Sequence, residues 1–230
     1  MKKLILIICL SLVSAFAFSQ WKWQNPLPQG NTLTSVHFLG ADTGYAVGDL
    51  GTIIKTIDGG VSWTLLTYET YNELFSVYFT NPNDGFAVGV EGTIIKTTDG
   101  GTTWTIIPSG TLNTLYSIFF PNNSNGYIVG ENGIILKSID SGSTWTEISG
   151  GGGPDNCLVS VCFTDANTGY IADNNYSGCS ILKTIDSGNT WSNVFSASSG
   201  YRVRFPKPFS PPPDHRSMFC IFLKGFSNPF

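Results

Sequence analysis

"TIDGGVSW" at residues 56–63 returns as "TTDGGTTW" at 97–104, "SIDSGSTW" at 138–145 and "TIDSGNTW" at 184–191. Each copy sets a hydroxyl residue, then an acid, a glycine, a second hydroxyl and a Trp in one fixed order. The acids Asp58, Asp99, Asp140 and Asp186 stand 41, 41 and 46 residues apart. Self-similarity at a period of this size marks a repeat architecture and takes precedence over any local reading.

Each box closes a longer unit. "LTSVHF" (33–38) and "GYAVGDLGTIIKT" (44–56) lead into the first, and "LFSVYF" (74–79) and "GFAVGVEGTIIKT" (85–97) into the second. The third carries "LYSIFF" (115–120) and "GYIVGENGIILKS" (126–138), the fourth "LVSVCF" (158–163) and "GYIADNNYSGCSILKT" (169–184). Four short β-rich runs per unit, separated by turn residues, make an antiparallel meander. One four-stranded sheet per ~40–45 residues is the signature of a propeller blade. Runs such as "SVYF" and "TIIK" are apolar on both faces, which suits sheets covered on both sides. The expected fold is an all-β propeller of four-stranded antiparallel blades in an incomplete ring, with units at 32–68, 73–109, 114–149 and 157–195.

In this arrangement the box joins the third and fourth strands. Its acid accepts bonds from turn amides, and Gly60, Gly101, Gly142 and Gly188 are free to take positive φ. Trp63, Trp104, Trp145 and Trp191 supply apolar plates that lock each hairpin to its sheet.

The pattern [S/T]-x-D-x-G-x-[S/T]-W resembles the Asp-box, or BNR repeat, of sialidases and other secreted propellers. The whole unit, with "GYAVG", "GTIIKT" and the box in register, is similar to the photosystem II assembly/stability factor type of propeller. That resemblance covers about residues 21–195. It implies that the boxes are peripheral structural turns, and it leaves function open, since one fold hosts many activities.

The ends differ from the body. Lys2 and Lys3 followed by "LILIICLSLV" and "AFAFSQ" read as a signal peptide over residues 1–19, and so as export to the cell surface or medium. No second apolar run long enough for a transmembrane helix follows. Residues 21–27, "WKWQNPL", read as a lone closing strand, because Trp23 precedes Leu33 by ten residues and Trp63 precedes Leu74 by eleven. Residues 196–230 form an aberrant tail with six of the twelve prolines past residue 200 and no fifth box. It is expected to contribute no central strand. A truncated or frame-altered repeat protein and a degenerate fifth blade are the two readings of it, and "FPKPFSP" also resembles the start of a secretion sorting domain.

Charge excludes several classes. Residues 21–200 hold five lysines, no arginine and fifteen acids, a net charge of −10 that argues against nucleic acid and anionic membranes as partners. A sialidase needs an arginine cluster to fork onto its substrate's carboxylate. Here Arg202, Arg204 and Arg216 all lie in the tail. Other glycosidases need two carboxylates flanking one bond. Asp49, Glu91, Glu131 and Asp173 instead recur once per unit at the turn between strands two and three. His37 stands where other units carry Tyr78, Phe119 and Cys162, so it reads as a packed residue. Lys55, Lys96, Lys137 and Lys183 recur likewise and read as snorkelling outer-strand residues. No cofactor or metal motif is present.

The expected role is therefore a secreted, non-catalytic binding, adhesion or scaffold module for a protein or glycan. A partial glycoside hydrolase and a photosystem-type assembly factor are the alternatives. Unit four departs from the repeat by two insertions, each carrying a cysteine on the rim opposite the boxes. A Cys157–Cys179 disulfide is expected there as a staple.

Overall fold

The computed structural model describes residues 30–66, 70–150, 152–153, 155–175, 178–198, 201–205 and 221–224. The signal peptide, the closing strand at 21–27, Cys220 and the proline run lie outside them. Four four-stranded antiparallel sheets lie in order between residues 33 and 198. The first is β1 (Leu33–Phe38), β2 (Gly44–Gly48), β3 (Ile53–Thr56) and β4 (Thr64–Leu66). The second is β5 (Leu74–Phe79), β6 (Gly85–Gly89), β7 (Ile94–Thr97) and β8 (Thr105–Ile106). The third is β9 (Leu115–Phe119), β10 (Gly126–Gly130), β11 (Ile135–Ser138) and β12 (Thr146–Glu147). The fourth is β13 (Leu158–Phe163), β14 (Gly169–Asn175), β15 (Gly178–Thr184) and β16 (Ser192–Ser198). Strand order follows the chain in every sheet, and the first strands β1, β5, β9 and β13 lie side by side at the centre of the fan.

The core sits between blades. Tyr45, Val47 and Ile53 of blade one meet Leu74, Val77 and Phe79 of blade two, and equivalent clusters fill the next two joints. Three further contacts repeat at each joint. Ser35 Oγ accepts the Val77 amide at 3.2 Å, as Ser76 does for Ile118 and Ser117 for Val161, both at 3.3 Å. Tyr45 stacks on Phe79 with centroids 3.8 Å apart, Phe86 on Phe120 at 4.8 Å and Tyr127 on Phe163 at 4.2 Å. Finally, Lys55 Nζ donates to the Gly100 carbonyl at 2.9 Å, Lys96 to Ser141 at 2.9 Å and Lys137 to Ser187 at 2.7 Å. The recurrent lysine thus grips the next blade's box, where the sequence alone suggested a snorkelling side chain.

The tail departs from expectation. Tyr201–Arg204 forms β17, which pairs with β18 (Ile221–Lys224). Val203 and Phe205 are buried at 0% and 4% exposure in the core of blade four. Phe205 contacts the Tyr170 ring at 6.4 Å, in the place that Phe79, Phe120 and Phe163 occupy at the earlier joints. β17 packs against β14 and β15 and so extends the core of blade four. The signal was in the chain: Phe38, Phe79, Phe120, Phe163 and Phe205 are spaced by 41, 41, 43 and 42 residues.

Blade four also turns differently. In blades one to three a glycine ends the second strand, and a Cβ on Gly48, Gly89 or Gly130 would sit about 2 Å from the carbonyl of Thr32, Glu73 or Thr114. Asp173 occupies that position in blade four, where three inserted residues extend β14 and β15 into a hairpin of two seven-residue strands. This hairpin places Asn174 between the two insertion cysteines. Asn174 N donates to the Cys157 carbonyl at 2.9 Å while Asn174 pairs across the ladder with Cys179. Two strand spacings, roughly 10 Å, separate the cysteines, beyond the ~7 Å reach of a disulfide. The expected staple is not formed, and both are free thiols.

Candidate ligand site at the rim

The boxes form four near-identical clips. In the second, Thr97 Oγ1 donates to Asp99 Oδ1 at 2.8 Å and accepts the Gly101 amide at 2.8 Å. The Thr103 amide and hydroxyl close the turn on Asp99 at 2.8 and 2.6 Å. Asp58, Asp140 and Asp186 are held the same way by Ser62, Thr144 and Thr190. These bonds, led by the hydroxyl donor, hold the carboxyls of Asp58, Asp99 and Asp186 down at about 2. Asp140 is lowered by the same contacts. Each Trp packs edge-on against a Phe at the end of its own blade's first strand, with centroids 5.9–6.1 Å apart from Phe38–Trp63 to Phe163–Trp191. With every box carboxylate engaged within its own turn, the boxes hold hairpins.

The opposite ends of the strands carry the chemistry. Between the first and third residues of each innermost strand the ladder register shifts, a bulge that re-aims the side chain between them. The re-aimed residues are Thr34, Phe75, Tyr116 and Val159, all half-buried. Thr34 spends its hydroxyl on the Val47 and Leu74 carbonyls. The other three, with Asn174, Arg202, Val203 and Arg204, line a cavity of about 340 Å³. Phe75 and Tyr116 lean together with centroids 5.3 Å apart. Asn174 clamps β17 in place by a reciprocal pair, donating to the Val203 carbonyl at 2.9 Å and accepting its amide at 3.0 Å. Arg202 and Arg204 are exposed, and neither guanidinium forms an ion pair with a described residue.

The rim carboxylates are each engaged. Burial pushes Glu131 up, but donors at Tyr116 (2.8 Å) and Thr114 (3.3 Å) outweigh it and hold the carboxyl below its ordinary range. Asp173, 1% exposed, is pushed up by burial although Asn156, the Cys157 amide and Ser180 donate to it at 2.7, 3.0 and 3.1 Å. Glu91 sits one position later in its turn than Asp49 and Glu131 do in theirs, in the left-handed region at φ 53°. Glu73, which sequence reasoning missed, is pushed up by burial and then by the Asp49 charge. The two are far apart in sequence and meet only across the first joint. His37 is 4% exposed and lies 4.9 Å from the Tyr78 ring, as a packed residue. No group of metal-ligating side chains occurs among the described residues.

Repeat, sheets and box geometry together define a BNR-type β-propeller chain. The family profile described as photosynthesis system II assembly factor YCF48 matches residues 61–151. No curated protein sequence matches the chain. Among solved structures, YCF48 from Cyanidioschyzon merolae aligns with a TM-score of 0.63 at 21% identity over 80% of this chain and 63% of its own. YCF48 bound to D1 peptide aligns at 0.50 and 18% identity, over 77% of this chain and 85% of its own. A GH74 enzyme from Niastella koreensis aligns at 0.60 and 22% identity, over 75% of this chain but only 31% of the enzyme. At these identities the likeness is one of fold: the chain is a propeller resembling the photosystem II assembly factor. No described helix is long and apolar enough to cross a membrane.

Proposed function

We propose that the chain is an exported, non-catalytic binding module whose ligand sits in the rim cavity between Phe75, Tyr116 and β17. The observation that carries this reading is the cavity's chemistry. Two guanidiniums without a described ion pair stand beside an aromatic pair, while the neighbouring carboxylates are already bonded. Such a site binds and orients; it offers no spaced acid pair for hydrolysis. A protein ligand is favoured over a glycan, since a solved YCF48 carries a bound peptide and this cavity presents cations to carboxylates. An assembly-factor role would use the same binding surface.

The test is a peptide array and a glycan array probed with the full chain and with an Arg202→Ala/Arg204→Ala variant. Peptide hits weakened at least tenfold in the variant are expected. Hits of equal strength in both proteins would remove the cavity from the reading. A second reading, glycoside hydrolysis, is favoured only by the Glu73–Asp49 pair and the GH74-like fold. It would replace the first if glycan turnover appeared and vanished in Glu73→Gln.

A further inference from the structure

Beyond the cavity, the rim is built from one pair of loop tips per joint. The turn between the second and third strands of one blade lies against the loop that enters the next. At the first joint the Asp49 charge reaches Glu73, and at the second Gly92 abuts the Thr111 carbonyl. At the third the Gly133 amide donates to the Asn156 carbonyl at 2.9 Å. Exposed at these tips are Leu50 with Tyr71, Glu91 with Leu112, and Asn132 with Asp155. Leu50, Glu91 and Asn132 share one repeat position, in the left-handed region at φ 50°, 53° and 55°. Tyr71, Leu112 and Asp155 share another, three residues ahead of Leu74, Leu115 and Leu158.

Half of these tip residues are large apolar side chains that the fold does not use. Tyr71 and Leu112 are each 85% exposed and Leu50 is 64% exposed. Asn132 and Asp155 hold the same backbone positions with polar side chains, so neither position calls for a leucine or a tyrosine. Leu50 also stands in a backbone region that disfavours a Cβ. Apolar side chains left bare along one rim mark a surface for another macromolecule.

Charge identifies its chemistry. Lys55, Lys96 and Lys137 reach the next box, and Lys183 stands at the same repeat position over Tyr170, so all four lysines of the blades lie at the box end. The rim of blades one to three carries Asp49, Glu73, Glu91 and Glu131 and, among the described residues, no base. Its cations come at the far end, as Arg202 and Arg204 beside the cavity.

We propose that this rim is a docking track for an extended polypeptide segment, acidic at one end and both basic and aliphatic toward the other. The footprint, which rests on the cavity as the ligand site, places the acidic end at Arg202 and Arg204. The segment then crosses blades three to one, with its lysines or arginines facing the rim carboxylates and its aliphatic side chains covering Leu112, Tyr71 and Leu50. Complementary charge sets the direction of binding, and the desolvated aromatic and leucine contacts carry the affinity.

The probe is a display library of random peptides about fifteen residues long, roughly 50 Å when extended, selected on the full chain. Hits are remade as labelled peptides and measured by anisotropy. They are expected to have an acidic end and several basic and aliphatic residues toward the other, and to lose affinity severalfold as salt rises from about 50 to about 300 mM. The variant Leu50→Asn/Tyr71→Ser/Leu112→Ser is expected to bind them at least tenfold more weakly at an unchanged melting temperature, since it removes no buried group. Should it melt lower, Leu50→Asn alone, which copies the residue of blade three, carries the test with a severalfold loss. Hits that both rim variants bind as well as the parent chain overturn the docking track; if Arg202→Ala/Arg204→Ala still weakens them, the cavity reading stands without it. Hits weakened by the rim variants but not by the arginine variant overturn the cavity reading and this footprint together. Hits without basic residues, or no hits, also overturn the proposal. Self-association or glycan binding that the triple variant abolishes, with no peptide selected, would overturn it by naming another occupant.

Discussion

Asp99 is fully exposed, yet its carboxylate is saturated with donors from Thr97 and Thr103. Hydrogen bonds to the ionised form are what hold the box carboxyls at about 2, against an ordinary value of 3.8. The folded chain therefore binds these protons less tightly than the unfolded one. The resulting stabilisation is complete above about pH 4 and drains away as pH falls from 3.8 through about 2. Melting temperature is expected to fall steeply across that window. A triple Asp→Asn variant at 58, 99 and 186 should start lower and vary less there; an unchanged slope would show that other carboxyls drive acid unfolding. Glu73 acts oppositely, because burial and Asp49 raise it, so its ionisation weakens the fold as pH rises above 4.5. The box glycine meets two demands at once. Gly101 lies at φ +84°, and a Cβ there would come within 3.1 Å of both the Tyr45 ring and Leu66. No described blade precedes the first box, and among the described residues Gly60 has only its own Trp63 nearby, at 3.7 Å.

Among the elements, the β14–β15 hairpin shows how an insertion reshapes a rim. The buried carboxylate of Asp173, where other blades carry a glycine, ties Asn156, Cys157 and Ser180 around the hairpin base. Removing that acceptor in Asp173→Ala leaves buried donors unmade. The expected cost is about 2–4 kcal/mol by urea unfolding, since each orphaned buried group costs roughly 1–3 kcal/mol. A loss below about 0.5 kcal/mol, the level of an ordinary surface change such as Glu147→Ala, would mean that water replaces the carboxylate. The strands themselves were legible, because apolar runs on both faces and boxes at a fixed period leave one architecture open. β17 was not, for a physical reason. Its face toward blade four keeps Val203 and Phe205, but the other face carries Arg202 and Arg204 where earlier first strands carry Ser35 and His37. Among the described residues no blade packs on that face, so the usual pattern is released, and the prolines beyond hid what remained. The lysine grip and the Glu73–Asp49 pair were illegible because both join residues of different blades. The cysteine pairing failed because insertion length says nothing about the strand that lies between.

At the scale of the whole molecule, blades touch only their neighbours, so stability is close to a sum of blades and joints. The described chain has an open side at blade one. Leu33 and Val36 are 43% and 48% exposed, while Leu74, Leu115 and Leu158 are fully buried and Val77, Ile118 and Val161 are at most 4% exposed. The same side chain at the same repeat position thus has a covered and an uncovered version within one protein. Truncating a buried leucine to alanine removes transfer energy and leaves a cavity, about 2–5 kcal/mol together. At Leu33 there is no cavity to leave and only part of the transfer term to lose, so about 0.5–1 kcal/mol is expected. Urea unfolding of Leu33→Ala beside Leu74→Ala and Leu115→Ala, in the full chain, measures the difference directly. If Leu33→Ala cost as much as the other two, blade one would be capped in solution and the ring closed over it.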